Sequence, residues 1–506
     1  MQFEVISPTK AYVKNASSLE LESLAKSLSY VNTAKQHEVK RLYNNTWLRN
    51  KSRDKWEAQI AELKTQVNCC LLFKDENGDS YIRPGSLAYL GQNDIENKIQ
   101  YPQPKKVPWN KPLPFQLHEY QRLSVEKLIA VRHGNVELCT GAGKSAIILT
   151  LCRETGFRSV IVAPSQSIFN ELLEAFERYL GKDKVGAFGD GKKRLGKRFT
   201  IAIGDSLANI KKDTPEWDFF SKLDMMCIDE SHTWGADTLE AVCHGVLGDV
   251  PYRFFMSGTQ TRGDGAEKLL QSIIGETVHR LTTKEAIEGG FISDHDFTIV
   301  DIESSNPNQN SADVLEMKRI HFLRNRNIAA FIAKLANATA LSSGKQTLVL
   351  VEELSQIAML IPLLNVPYAY AHSESSAKKL IELQANSGVL LEKVDRADSV
   401  EKFNKNEVKV LIGTSCIATG TNIYPTHSVC NWVGGSSEIK TKQGAVGRAV
   451  RKSNQNPWAD LCVYKDKANI YDFNVHDIFI LKKQLEDRCL YYRDSGTEIR
   501  RIKLKK

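Results

Sequence analysis

The chain has 506 residues, 42% of them hydrophobic and 25% charged, which gives room for two to four domains of an ordinary soluble protein. No apolar run reaches the ~18–20 residues of a membrane span, and the N-terminus lacks a basic stretch followed by an apolar one, so neither a membrane protein nor a secretory leader is expected. The formal charge of +8 (68 basic against 60 acidic residues) is compatible with a nucleic-acid partner, and ten cysteines without a Cys-x-x-Cys pair read as reduced thiols, not a zinc or disulfide framework.

Residues 1–100 read as a small α+β domain. Phe3–Ile6 and Ala11–Val13 are strand-like, Leu19–Leu28 and Trp56–Val67 have helical spacing, and Asn68–Phe73 with Ser80–Arg83 flank a hairpin turn at Glu76–Asp79. The basic and aromatic stretch Lys40–Lys51 fits a DNA-holding surface or a plain amphipathic one equally well. Five prolines in Tyr101–Pro114 mark a linker over 101–114.

Strands and helices then alternate. Val136–Leu138, Ser159–Ala163, Phe199–Ile203, Met225–Ile228 and Arg253–Met256 are strands, and Ile168–Leu180 is a helix. A second alternation follows from about residue 320, with strands at Gln346–Val351, Val408–Ile412 and Ser428–Val433. This is the pattern of parallel sheets wrapped by helices. Two basic stretches stand out. Lys192-Lys193-Arg194 with Lys197-Arg198 forms a loop, and Arg500–Lys506 forms a tail; each is a solvated surface or a phosphate contact.

Two motifs carry chemistry. Thr140-Gly141-Ala142-Gly143-Lys144-Ser145, ahead of an apolar helix, is a phosphate-binding loop. Its glycines let backbone N–H groups face a polyphosphate, Lys144 supplies a cation, and the Ser145 hydroxyl suits Mg²⁺. Leu138 stands where the strict pattern has glycine. The strand Met225–Ile228 runs into Asp229-Glu230-Ser231-His232. A carboxylate at a strand's C-terminal end beside a phosphate loop suits a nucleotide-bound Mg²⁺, so Asp229 is assigned to the metal. Glu230 is assigned to orient or deprotonate the attacking water.

With these motifs in this order, the chain resembles a superfamily 2 helicase of the DExH type over about residues 112–475. The resemblance implies two tandem RecA-like parallel-sheet lobes, at 115–298 and 299–475, with a C-terminal helix and basic tail at 476–506. It implies further roles. Gln121 in Leu117–Gln121 would read adenine, and Pro164 and Ser165 would touch the nucleic-acid backbone, as would Ile203–Leu207. His232, with Ser257 and Thr259 in Ser257-Gly258-Thr259, would couple the ATP site to the nucleic acid. Ile412–Thr414 through Thr419–Asn422 resembles motif V, with Thr414 and Gly420, and Gly447–Arg451 resembles motif VI. There Arg448 and Arg451 would clamp the departing phosphate, completing the site when the lobes close; Gln443 lies one place early for the family's glutamine.

Thr259–Gly265 resembles the Thr-Pro-x-Arg-x-Asp-Gly segment of XPB-like and phage UvsW-like DNA helicases, through Arg262 and Asp264, with Gln260 in place of proline. The resemblance implies a DNA-dependent ATPase that uses ATP and Mg²⁺. It would unwind or branch-migrate DNA, favouring branched or duplex–single-strand junctions, as a monomeric motor in the cytoplasm (the host's, if viral). An RNA helicase, a restriction-type motor subunit and a catalytically silent scaffold are the alternatives.

Overall fold

The computed structural model describes residues 1–506 apart from 92–93, 114, 232–233, 259–266, 310, 312, 374–375, 415–416, 418–422, 436–445, 453–454, 494–497 and 504–506. The contacts divide it into two units, 1–138 with 143–280, and 139–142 with 281–506.

The first unit opens with a five-stranded sheet. Its order is Leu72–Lys74, Ser80–Ile82, Lys10–Lys14, Gln2–Ser7, Ile95–Asn97. The expected hairpin is present, closed by Asp75, whose Oδ1 accepts from the N–H groups of Asn77 (3.0 Å) and Asp79 (2.8 Å). Its first strand is shorter than expected, because Asn68–Cys70 pairs instead with Ser29–Val31 in a separate two-stranded ribbon. The basic–aromatic stretch folds as two helices, Thr33–Tyr43 and Thr46–Lys51, packed on a third, Arg53–Thr65.

This small sheet does not hang free. Phe3, Val5 and Leu24 share one core with Val160, Met226 and Phe255 of the large sheet that follows. Arg83, 5% exposed, pairs with Glu240, and Lys268 Nζ donates to the carbonyls of Ser27 (2.7 Å) and Ser29 (2.9 Å). The described residues of the proline-rich segment form no helix or strand, yet they are held as a strap. Lys105 N donates to Thr155 O at 2.7 Å, Val107 N to Arg153 O at 2.9 Å, and Asn110 N to Tyr179 O at 2.8 Å. Gly156 permits this approach, since a Cβ there would lie 2.0 Å from Lys105 O.

The large sheet has the order Lys192–Arg194, Val185–Gly189, Phe199–Ile203, Ser159–Ala163, Met225–Ile228, Tyr252–Ser257, His133–Leu138, Glu276–Leu281. The pairings from Val185–Gly189 through His133–Leu138 are all parallel. Ser159–Ala163 and Met225–Ile228 are buried throughout, as the continuous apolar runs of a sheet covered on both faces require.

The basic loop at 192–198 is largely neutralised. Arg194 pairs with Glu177 at 2.5 Å, Lys193 with Glu216, and Lys192 with Asp190 at 3.4 Å.

The second unit is built on a seven-stranded sheet of order Tyr368–Ala371, Val410–Gly413, Thr347–Val351, Ser428–Trp432, Lys467–Val475, Asp294–Ile302, Ile499–Lys503, in which every pairing is parallel. The basic tail is therefore in part an edge strand, Ile499–Lys503, hydrogen-bonded alongside Asp294–Ile302. The helix Phe479–Arg493 crosses this sheet and is pinned by a buried network. Arg488 donates to both Asp472 oxygens (2.7 and 2.9 Å), and Tyr492 Oη adds a bond of 2.6 Å to Oδ2. Arg488 and Asp472 are 2% and 1% exposed. Removing one partner of such a pair costs about 3–5 kcal/mol, whereas removing both is close to neutral. Arg488→Met should therefore lower the melting temperature sharply, and adding Asp472→Asn should recover much of the loss in the same melting experiment.

No helix among the described residues is long and apolar enough to cross a membrane. The nine described cysteines are free thiols.

Candidate active site

Three neighbouring parallel strands of the first unit end side by side. Tyr252–Ser257 lies between His133–Leu138, which leads into the phosphate loop, and Met225–Ile228, which leads into Asp229. The C-terminal edge of a parallel sheet is where such folds bind ligands.

The helix Lys144–Thr155 starts at the end of the loop, with Gly143 as its N-cap at φ +76°. Gly141 is also left-handed, at φ +89°, and Ala142 N closes the turn onto Cys139 O at 3.2 Å. Thr140 and Ser145 are half-buried, and Gly141 is exposed. Gly143 is required sterically as well, since a Cβ there would lie 2.5 Å from Nε2 of Gln121. Gln121 is itself buried, and its Oε1 accepts from His118 N at 3.0 Å, which fixes the side chain at the start of the helix Glu119–Val131. Glycine takes the left-handed conformation at both loop positions without the strain a side chain would bring.

Lys144 Nζ lies 3.1 Å from Glu230 Oε1 and 3.5 Å from Leu138 O. Asp229, 6% exposed, accepts from Glu230 N at 2.9 Å through Oδ1. Burial, and then the neighbouring Glu230 carboxylate, push its pKa up to about 7. Two carboxylates adjacent in sequence and of low exposure, with Lys144 paired to Glu230, are short of positive charge. That donor set suits a hard divalent cation with oxygen ligands. The residues thus fit a nucleotide with Mg²⁺, for which Ser145 and Asp229 are the candidate oxygen donors.

The backbone around Asp229 is tightly set. Asp229 N donates to Val162 O at 3.0 Å, Glu230 takes φ +47°, and Trp234 Nε1 donates to Asp229 O at 3.0 Å. Trp234 packs so closely on Gly204 that a Cβ there would lie 1.8 Å from its ring. Ser231 Oγ reaches Met256 O at 3.4 Å, tying the acidic turn to the strand that ends at the buried Ser257. Neither Trp234 nor Gly204 stands out in the sequence as a support for Asp229; the pairing exists only in three dimensions.

The remaining expected residues are placed as follows. Ser165 caps the helix Gln166–Phe176, accepting from Ile168 N at 3.4 Å, with Pro164 just before it. In the second unit, Thr414 follows the strand Val410–Gly413 and donates from its N–H to Ala371 O at 3.2 Å. The short helix Gly447–Ala449 carries Arg448, and Arg451 follows it, its guanidinium 5.8 Å from the Tyr424 ring. His232, Thr259, Arg262, Asp264 and Gly420 lie outside the described residues, as do Gln260, Asn422, Gln443 and the side chain of Arg448.

Two family models match in the order the motifs predict: Type III restriction enzyme, res subunit, over residues 114–262, and Helicase conserved C-terminal domain over residues 329–453. The chain belongs to the superfamily 2 helicases. This helicase is 23% identical over 373 residues to the DNA 3'-5' translocase XPB2 of Sulfurisphaera tokodaii, covering 67% of this chain and 80% of that one. The fragment structure of a putative HsdR subunit of a type I restriction enzyme from Vibrio vulnificus YJ016 aligns at a TM-score of 0.50 and 16% identity, over 78% of this chain and 69% of that one. The crystal structure of T4 UvsW aligns over 100% of both chains at a TM-score of 0.41 and 15% identity. Both large sheets of the helicase are RecA-like lobes.

Proposed function

We propose that this helicase is an ATP-dependent DNA translocase that unwinds or branch-migrates DNA in recombination, replication or repair. The observation that carries the reading is the Lys144–Asp229–Glu230 cluster at the edge of a parallel sheet, in a chain with both helicase family matches. Similarity to a relative described as a DNA translocase supports DNA over RNA as the track.

In this reading Lys144 and the backbone of Thr140–Gly143 hold the phosphates of ATP, and Gln121 reads the base. Mg²⁺ on Ser145 and Asp229 would supply positive charge at the phosphates. Glu230, released from Lys144 by the incoming phosphates, orients the attacking water. Arg448 and Arg451 stabilise charge on the departing phosphate. Pro164, Ser165, Thr414 and Gly420 serve the nucleic acid, and His232, Ser257, Thr259, Arg262 and Asp264 couple it to hydrolysis. The helical segment of the small domain is a second contact for DNA: Lys51 Nζ lies 4.6 Å from the exposed Trp47 ring, and Arg49 lies 5.3 Å from that of Trp56. In this reading the motor works as a monomer in the cytoplasm.

The test is ATP hydrolysis measured with no nucleic acid, single-stranded DNA, duplex DNA, branched DNA and RNA. Stimulation by DNA, strongest with branched substrates, is expected. Equal stimulation by RNA would overturn the DNA assignment, and hydrolysis under no condition would favour a silent scaffold.

A further inference from the structure

The arginine segment of the second unit is gripped from outside the motifs. Three consecutive carbonyls, those of Ala449, Val450 and Arg451, leave the end of the short helix Gly447–Ala449. Carbonyls at a helix end lack partners within the helix and leave the following backbone free to take several paths. Here all three are bound. Lys465 Nζ donates to Ala449 O at 2.8 Å, Ser293 N donates to Val450 O at 2.8 Å, and Ser293 Oγ reaches Arg451 O at 3.2 Å. Lys452 adds a bond from its ammonium to Gly290 O. The clamp is internal: Ala449, Val450 and Lys465 are at most 2% exposed, and Ser293 is 5% exposed.

Lys465 is a costly choice for a structural peg. Burial, and then the nearby Arg451 charge, lower its pKa to about 7. Buried His427 lies in the same electrostatic neighbourhood, its own pKa lowered to about 4 by burial and then by Lys465. Setting a lysine against an arginine under cover opposes folding, and an apolar side chain would fill the space without that penalty. What the ammonium adds is a directed bond to the backbone two residues before Arg451. Ser293 and Lys465 both fall outside the residues matched by the family models, 114–262 and 329–453.

We propose that Ser293 and Lys465 are positioning residues that fix the backbone of Arg451 for ATP hydrolysis, an inference that rests on the role of Arg451 given above. The segment needs such fixing because a displacement of about 1 Å in a catalytic group costs up to about a hundredfold in rate. A clamp on the backbone acts on turnover and leaves the phosphate loop, where ATP is first held, untouched.

The experiment compares Lys465→Met, Ser293→Ala, Arg451→Ala and the double variant Lys465→Met/Arg451→Ala in the full chain, measuring kcat and KM for ATP with saturating DNA alongside thermal melting. Lys465→Met is expected to lower kcat about tenfold with KM within about twofold. Ser293→Ala, the milder change, should lower kcat about threefold, and it decides the matter if Lys465→Met fails to fold. The double variant should turn over no more slowly than Arg451→Ala alone, because a clamp has no effect once its arginine is gone. Folded Lys465→Met or Ser293→Ala with wild-type kcat would overturn the proposal, as would losses that multiply in the double variant. Wild-type turnover in Arg451→Ala would instead remove the role of Arg451 on which the clamp depends.

Discussion

Lys144→Ala is expected to lower DNA-stimulated ATP hydrolysis at least about a hundredfold, the usual scale for losing one preorganised charge at a reacting phosphate. The ammonium has two tasks. At rest it lies 3.1 Å from Glu230 and offsets a pair of neighbouring carboxylates, one of them, Asp229, already pushed up to about 7. In the proposed reading, entering phosphates would draw it away from Glu230 and leave that carboxylate to the water. The alanine variant therefore loses phosphate binding and also leaves two carboxylates facing each other under cover. A drop in melting temperature should accompany the loss of activity, since an uncompensated buried charge costs about 3–5 kcal/mol before relaxation and solvent entry reduce it. The two effects separate in Lys144→Ala/Glu230→Gln, which should regain stability and stay inactive. Hydrolysis by Lys144→Ala within a few fold of wild type would remove the loop from the ATP site.

Arg451→Ala should bind ATP with nearly unchanged affinity and lose turnover by on the order of 10³-fold, the lower end of what an arginine acting only in the transition state supplies. Arg451→Lys should recover little, because an ammonium lacks the planar fork that meets two phosphate oxygens together. Nucleotide fluorescence for binding and single-turnover hydrolysis for the chemical step separate the two quantities. If affinity falls in step with turnover, Arg451 holds ATP in its ground state and is no finger. The 5.8 Å approach of its guanidinium to the Tyr424 ring offers a resting place for the charge.

The parts of the fold that show in the sequence are those with a simple physical signature. Ser159–Ala163 and Met225–Ile228 are unbroken apolar runs because both faces of their sheet are covered. Lys144, Asp229 and Glu230 stand out as candidates because a phosphate-loop pattern and an acid-ended strand are local in sequence, and Lys144 and Glu230 lie 3.1 Å apart in the fold. Other strands hide. Val185–Gly189 contains two glycines, Asp294–Ile302 begins with Asp-His-Asp, and Lys467–Val475 mixes polar with apolar positions. The proline-rich segment reads as a spacer because its hydrogen bonds go to Arg153, Thr155 and Tyr179, which no local pattern announces. Trp234 on Gly204 and the Ser293–Lys465 contacts are hidden in the sequence for the same reason: their partners are set by packing, not by spacing.

The position of Asp294–Ile302 in its sheet has a consequence for how the chain is made. It leads the second unit in sequence, yet its neighbours are Lys467–Val475 and Ile499–Lys503. Asp301 meets Asn474 across a separation of 173 residues. At about 5–20 residues per second, a ribosome needs on the order of ten to thirty seconds to deliver the first of those partners. For that interval a nine-residue strand waits with both edges open. Its charged opening, Asp294 and Asp296, suits the wait, since like charges along an edge discourage pairing between nascent chains.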